Sequence, residues 1–374
     1  VTRWRYIAQA IPSGEFLDWE LPLSNVEITR TLSGPGRLTG TIPIHLSRLD
    51  AVLRPWGTAI WAEADGYIRG GGILMPWTLD GQRAEIDCMG ISGYPQRMPW
   101  TGSTQARLNV DPLDMVRLIW SHLQDQENGD LGVQVDATKS TVRIGTAEYW
   151  TDAKGNVVKP ADPKKLPEGW THHEAEPFPL EWWSTHDLGR VIDDLAVQTP
   201  FDYLEHTSWS GNSLRHRLQL GFPTIGSRRE DLRFALGENV SVTPTLDADD
   251  DDYASDVLAL GAGEGKAMVN TTLHRSGASG LRRVHVYTDK TARSKTALSN
   301  SARRELSWLV GKPRMHVVNV IDHPHARLGS FDVGDEIFVS GHTGWVALDR
   351  WARIVEMVTE PDNADQMTLT LVEV

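Results

Sequence analysis

Ser33-Gly34-Pro35-Gly36-Arg37-Leu38-Thr39-Gly40-Thr41-Ile42-Pro43-Ile44 is the stretch on which the fold turns. Its first four residues are a strong turn signal, because glycine and proline set backbone angles that no helix continues. Leu38, Gly40, Ile42 and Ile44 then fall on one face at period two, the spacing of a half-buried strand. Before the turn, Val26, Ile28 and Arg30 alternate with polar or small neighbours. Working outward, Ala59–Ala64 and Ala84–Ile91 are further strand candidates separated by glycine-containing turns. The first hundred residues therefore read as strands and turns.

A helix is predicted next. Asp111 is an N-cap candidate, Pro112 suits the first helical position, and Leu113, Val116, Ile119, Trp120 and Leu123 share one apolar face before Asn128-Gly129. Residues 151–181 are polar and broken by Pro160, Pro163, Pro167, Pro177 and Pro179, so a long loop or arm is expected there. It carries or adjoins Trp150, Trp170, Phe178, Trp182 and Trp183, aromatic anchors suited to contacting a neighbouring chain. Ser184 with Asp187 resembles a capping box for a second helix, with Leu188, Val191, Ile192 and Leu195 as its buried stripe and Thr199-Pro200 as its stop. Phe201–Trp209 and Leu214–Leu220, split by Gly211-Asn212, read as a hairpin. From 237 onward β patterning returns, interrupted by a helix near 291–310 with Leu298, Ala302, Leu306 and Leu309 on one side. Gly311 and Pro313 stop it, and Met367, Leu369 and Leu371 alternate with Thr368 and Thr370 as a terminal strand.

The two β regions echo each other. Gly57-Thr58-Ala59-Ile60-Trp61, Ile73-Leu74 and Glu85-Ile86-Asp87-Cys88 follow in the same order as Gly334-Asp335-Glu336-Ile337-Phe338, Arg353-Ile354-Val355 and Thr368-Leu369-Thr370-Leu371. A repeated β-module within one chain lets a ring show more apparent symmetry than it has subunits.

Composition narrows the function classes. A chain of 374 residues allows two or three domains, and an apolar share of 40% is enough to bury real cores. The single cysteine, Cys88, allows no intrachain disulfide; in its alternating run it is expected to be a small buried hydrophobe. No stretch approaches the ~20 apolar residues of a membrane span. Glu15, Asp18 and Glu20 interrupt any apolar leader segment, so no signal peptide is expected. A net charge of −13 makes a poor nucleic-acid binder, since phosphate contacts need Lys and Arg. Tryptophan is unusually common, fifteen against seven Phe and seven Tyr, which suits cores, subunit interfaces or sugar stacking.

Thr2-Arg3-Trp4-Arg5-Tyr6-Ile7-Ala8-Gln9, followed by Gly14-Glu15-Phe16-Leu17-Asp18-Trp19-Glu20-Leu21-Pro22-Leu23, resembles the start of minor tail proteins of long-tailed phages infecting actinobacteria. Phe331-Asp332-Val333-Gly334-Asp335-Glu336-Ile337, with Trp345, Arg353-Ile354-Val355 and the terminal strand, is similar to the last β-domain of that tail hub family. The resemblance covers both ends and the layout; 101–236 matches in style alone. It implies a mainly β fold with α/β insertions: a first tube-like β-barrel domain over 1–105, an insertion region with its proline-rich arm over 106–236, and a second barrel with an inserted helix over 237–374. It also implies a non-enzymatic, trimeric, pseudo-sixfold ring at the virion tail tip, assembled in the bacterial host cytoplasm, that joins the tail tube to tip and host-recognition proteins. Implied partners are the distal tail protein, the tape measure protein and other minor tail or receptor-binding proteins. Genomic DNA would pass through without specific binding, past an acidic or neutral inner wall. The extra C-terminal host-binding or wall-degrading domains of larger relatives are not expected. Two other readings stand beside it: a carbohydrate-binding host-recognition protein, motivated by Trp182-Trp183, and a cell-wall hydrolase.

No segment carries a catalytic signature. Gly261-Ala262-Gly263-Glu264-Gly265 follows an apolar run, but Lys266 stands where the third glycine of a dinucleotide fingerprint belongs, and Met268–Leu273 reads as strand. Asp247 and Asp249–Asp252 lack the ligand order of a calcium loop and are expected to form a solvated acidic loop. His172-His173 and His323-Pro324-His325 lack the partner spacing of a zinc site. A Gly-x-Ser-x-Gly elbow is missing. No catalytic, cofactor-binding or metal-binding residue is assigned on these grounds.

Overall fold

In the computed structural model, residues 3–43, 52–152, 157–159, 167–244, 246–247, 253–263, 265, 268–277, 281–289, 292, 295–309, 314–344, 346–363 and 365–374 are described. The opening region forms β1 (Trp4–Ala10), β2 (Phe16–Asp18), β3 (Ser24–Thr31), β4 (Arg37–Pro43), β5 (Thr58–Ala64), β6 (Tyr67–Leu74), β7 (Thr78–Asp80) and β8 (Arg83–Met89). The glycine-proline turn joins β3 to β4 as read, with Ile28 opposite Leu38 and Ser33 in the left-handed region at φ 53°. Leu38, Gly40 and Ile42 are buried, and Ile44 lies outside the described residues. In β8, Ala84, Ile86 and Cys88 point inward between exposed or half-exposed neighbours. Cys88 is thus the buried hydrophobe expected, and burial pushes its thiol pKa up.

β5 is buried along its whole length because it has a core on each face. Ile60 and Ala62 pack with Ala8, Ile28, Leu38, Ile86 and Cys88. Ala59 and Trp61 face the other way, into a cluster built by the middle of the chain. Sheet curvature is visible at Gly70: a Cβ there would lie 2.4 Å from Ile28 Cγ2, so β6 crosses closely over β3.

The middle region forms β9 (Gln105–Arg107), α1 (Pro112–Gln124), β10 (Val133–Val135), β11 (Tyr149–Thr151), β12 (Val157–Val158), β13 (Thr171–His173), β14 (Phe178–Leu180), α2 (Leu188–Gln198), β15 (Asp202–Ser210) and β16 (Ser213–Gly221). Asp111 caps α1 by accepting from the Leu113 N–H at 2.9 Å, and all five residues of its predicted apolar face are buried. The cap of α2 differs from expectation. Asp187 itself accepts from the Arg190 N–H at 3.0 Å, while Ser184 donates to Glu181. Serine sits too early to reach the first turn of a helix that begins at Leu188. The faces of α1 and α2 meet Trp61, Phe201, Tyr203 and Leu218 in one cluster. The described part of 151–181 is more ordered than an irregular arm. β12, β11 and β13 make a small antiparallel sheet, and β14 pairs with β9, placing Leu180 in the core. Cross-strand stacking of Tyr149 on His173 and Trp150 on His172 explains it.

The remainder forms β17 (Phe234–Ala235), β18 (Leu246–Asp247), β19 (Asp256–Leu260), β20 (Asn270–His274), β21 (Val284–Thr288), α3 (Lys295–Trp308), β22 (Arg314–Met315), β23 (Val317–Ile321), β24 (Glu336–Ser340), β25 (Arg350–Thr359) and β26 (Gln366–Glu373). β24, β25 and β26 pair in chain order, with β24 antiparallel to β25, as β5, β6 and β8 do. The two sets of strands do not stand in two separate barrels. A 13-stranded sheet has the path β17-β24-β25-β3-β4-β8-β6-β5-β1-β2, with β26 on β25, β23 on β26 and β7 on β8 beside it, and no closed barrel is formed among the described residues. β3 finds its second neighbour in β25, with Met357 opposite Arg30, so the first curl opens into the second.

Two compact units result. One holds Val1–Ser241, Asn319–Thr370 and Val374; the other holds Val242–Val318 and Leu371–Glu373. These units group the chain by compactness and cut it differently from boundaries at 105 and 236. In the second unit, Leu298, Ala302 and Leu306 of α3 pack on Val257 and Ala259 of a β20-β19-β21 sheet. The helix expected inside a second barrel thus covers a small sheet of its own. The mixed pairing, β21 parallel to β19, needs a crossover and follows from no local signal.

Candidate functional site

A crevice of about 660 Å³ lies in the first unit. Strands β1, β3, β6 and β15 wall it, and the 328–335 loop rims it. Three closely placed glycines shape this region. A Cβ at Gly72 would lie 2.0 Å from the Met89 carbonyl oxygen, and one at Gly71 would lie 2.1 Å from that of Ile60. Gly71 has φ 133°, a conformation glycine alone adopts easily, and the β5–β6 register shifts just beyond it, between Ala62 and Glu63. The run Gly70-Gly71-Gly72 is the sequence signal for this close approach.

Charge in the crevice is spent on holding the walls. Arg30 pairs with Asp332 at 2.6 Å, and Arg229 pairs with Asp335 at 3.2 Å and with Asp231 at 2.8 Å. Behind it, Arg353 pairs with Asp202 and donates to the carbonyls of Ile225 at 2.7 Å and Gly334 at 3.1 Å, tying β25 to the start of β15. The Glu205 carboxylate accepts the backbone N–H groups of Ser92 at 2.6 Å and Gly36 at 2.8 Å. Desolvation raises its pKa, and those N–H groups pull against the rise. Gly90 makes room for it, since a Cβ there would meet Glu205 Oε1 at 1.9 Å. His206 bonds Gln219 at 2.9 Å, and burial lowers its pKa. Each of these groups has a structural partner, and their geometry fixes strands relative to one another.

The described tryptophans range from core through half-buried to exposed. Trp61, Trp100 and Trp120 are core residues. Trp19, Trp56, Trp182 and Trp183 stand exposed. Trp182 and Trp183, 62% and 51% exposed, meet edge to face in the turn after β14 with centroids 5.3 Å apart. Trp19 stacks on Trp209 at 6.1 Å and meets Phe16 at a tilt with centroids 4.4 Å apart, with the Arg5 guanidinium 5.6 Å from its ring. Phe178 and Trp150 are drawn inward instead.

The other motifs resolve as follows. His172 and His173 serve the β11–β13 stacking already described, with His173 bonded to Thr151 at 3.0 Å. His325 lies 2.7 Å from Glu238, a contact that sequence spacing does not reveal because the partners come from different turns. Gly261 and Gly263 fall in the connection from β19 to antiparallel β20, so strand and not helix follows them, as read. Residues 248–252 of the acidic run, with Trp345, Gly311 and Pro313, lie outside the described residues. Among the described residues no helix is long and apolar enough to cross a membrane.

No family model matches the chain, and no curated protein matches it. Solved structures do. The 43 kDa tail protein of prophage MuSo2 from Shewanella oneidensis aligns over 98% of both chains with a TM-score of 0.58 at 13% identity. A tail protein from Neisseria meningitidis aligns over 98% of this chain and 96% of its own, with a TM-score of 0.58 at 12% identity. Prophage tail protein gp18 from Listeria monocytogenes aligns over 98% and 94%, with a TM-score of 0.54 at 12% identity. The likeness spans the chain and is one of fold.

Proposed function

We propose that this chain is a structural component of a phage tail, and within it the hub of the tail tip: a homotrimer forming a pseudo-sixfold ring. The observation that carries this reading is the end-to-end likeness to three tail proteins, both units included. The repeated run of three strands supports the finer part. β5-β6-β8 and β24-β25-β26 share strand order, and both belong to one continuous sheet. Two related modules per chain give six similar positions in a trimer, which is what a sixfold tube needs at its end. Under this reading 1–105 and 237–374 supply the two tube-like modules, and 106–236 is an insertion packed on the back of β5. The ring joins the tail tube to the distal tail protein, the tape measure protein and the receptor-binding proteins, with DNA passing an acidic or neutral lumen. On this reading the hosts are actinobacteria, as the resemblance of both ends of the chain implies.

The test is assembly. Purified protein, alone or with its tail neighbours, is expected to run at three times the 41.6 kDa of one chain and to give threefold rings by electron microscopy. A strict monomer under both conditions, or a ring whose lumen binds duplex DNA at physiological salt, would overturn the hub reading. A second reading rests on the exposed Trp182–Trp183 pair: a host-glycan contact, which would show as wall-carbohydrate binding abolished by W182A/W183A.

A further inference from the structure

We infer that Glu238, His323 and His325 form a binding site for a divalent transition-metal cation of the zinc type. Each offers one donor atom, and the three atoms lie within 4.8 Å of one another. Two imidazole nitrogens and one carboxylate oxygen are the donor set of open zinc sites, in which water takes the fourth position. With bonds of ~2.0–2.1 Å in a tetrahedron, neighbouring donors sit about 3.3 Å apart. The group spans that value, from 2.7 Å between Glu238 Oε1 and His325 Nδ1 up to the 4.8 Å limit. The short contact is a close N···O approach, and a cation would take the place of a proton between the two atoms.

The backbone beneath the group is built rather than loose. Glu238 stands in the turn after β17, where its N–H donates to the Ala235 carbonyl at 3.1 Å. The next residue, Asn239, is buried. Its side chain accepts from Ala235 N at 2.9 Å and donates to the Arg233 carbonyl at 2.8 Å. The histidine loop is joined to that turn on both sides of the motif. Ile321 N donates to the Asn239 carbonyl at 2.9 Å, and Arg233 N donates to the His325 carbonyl at 3.2 Å. Ala326 N closes the His-Pro-His turn on the His323 carbonyl at 3.0 Å. Pro324 between the ligands restricts the loop further.

The side chains are held near a binding geometry without being committed elsewhere. The two imidazoles meet edge to face with centroids 4.8 Å apart. His323 Nδ1 accepts a long bond, 3.3 Å, from the His325 N–H, weak enough for a cation to replace. The second Glu238 oxygen receives the Arg233 guanidinium at 3.3 Å, which orients the carboxylate as partners behind metal ligands do. The nearby Arg327 guanidinium is engaged by Asp322 at 2.6 Å. His323 is half-buried and His325 exposed, leaving an outer position open to solvent.

Titration calorimetry of the full chain with Zn²⁺, checked with Co²⁺ for the absorption of a tetrahedral ion, tests the site. One equivalent per protomer is expected. E238Q and the H323A/H325A double variant are each expected to weaken binding at least tenfold, while H172A/H173A leaves it unchanged. Circular dichroism identifies any variant that fails to fold; E238Q, which keeps size and shape, then decides. No stoichiometric Zn²⁺ binding by the parent chain, or binding that survives both E238Q and H323A/H325A, would overturn the assignment.

Discussion

The crossing of β6 over β3 can be tested by a mutant cycle between Ile28 and Gly70. Ile28 is 2% exposed, and its Cγ2 would lie 2.4 Å from a Cβ at position 70. Truncating it, Ile28→Ala, removes buried methyl groups and leaves a cavity, at a cost of about 2–5 kcal/mol. Gly70→Ala forces a methyl into occupied space, an overpacking that costs about 1–3 kcal/mol. Independent sites would sum to roughly 3–8 kcal/mol. Here the added methyl occupies the space that the truncation empties, so the double variant is expected to cost at least ~1 kcal/mol less than the sum. Equilibrium urea unfolding read by tryptophan fluorescence is suited to this. All of the fifteen tryptophans except Trp308 lie in the unit that holds both residues. Additivity within ~0.5 kcal/mol would refute the crossing, because it would mean that the two side chains do not share space.

Three further outcomes are expected. Asp111→Ala removes the α1 cap and the partners of Ser140 N and Oγ, both at 2.8 Å, so it is expected to cost about 2–4 kcal/mol in the same urea assay, with Asp111→Asn in between. Desolvation pulls His216, stacked on Trp61 and bonded to Thr207, down to about 4. A depressed folded pKa means that stability is complete above ~6.5, the unfolded value, and is lost as pH falls toward 4; NMR titration and acid unfolding of His216→Phe, which removes that pH dependence, check it. Cys88 is fully buried with a raised pKa, so a disulfide reagent is expected to label it in urea and not in the native protein.

Local signals were legible because they are read by neighbours in sequence. Asp111 and Pro112 started a helix, and Gly211-Asn212 turned a hairpin whose ends, Ser210 and Ser213, face each other as drawn. Distant pairing was not legible. Nothing near Arg30 announces that Met357 will lie opposite it, so two curls were expected to close where the sheet runs on. The cap of α2 was misplaced by three residues, because Ser184 and Asp187 are both competent caps and only the register of Leu188 decides. The same distance problem hid the contacts of Glu205 and Glu238. A buried carboxylate bound by Gly36 and Ser92, or one that meets His325, is fixed by topology that no window of residues contains.

The β3–β25 pairing also sets an order in time. The opening strands are complete when Met89 leaves the ribosome, but the strand that covers β3 begins at Arg350. At ~5–20 residues per second, the outer edge of β3 stands unpaired for tens of seconds in every new chain. An open edge invites pairing with another nascent chain. The hazard lies in half-made copies rather than finished ones, so a premature stop anywhere between these points would leave a fragment with that edge permanently exposed.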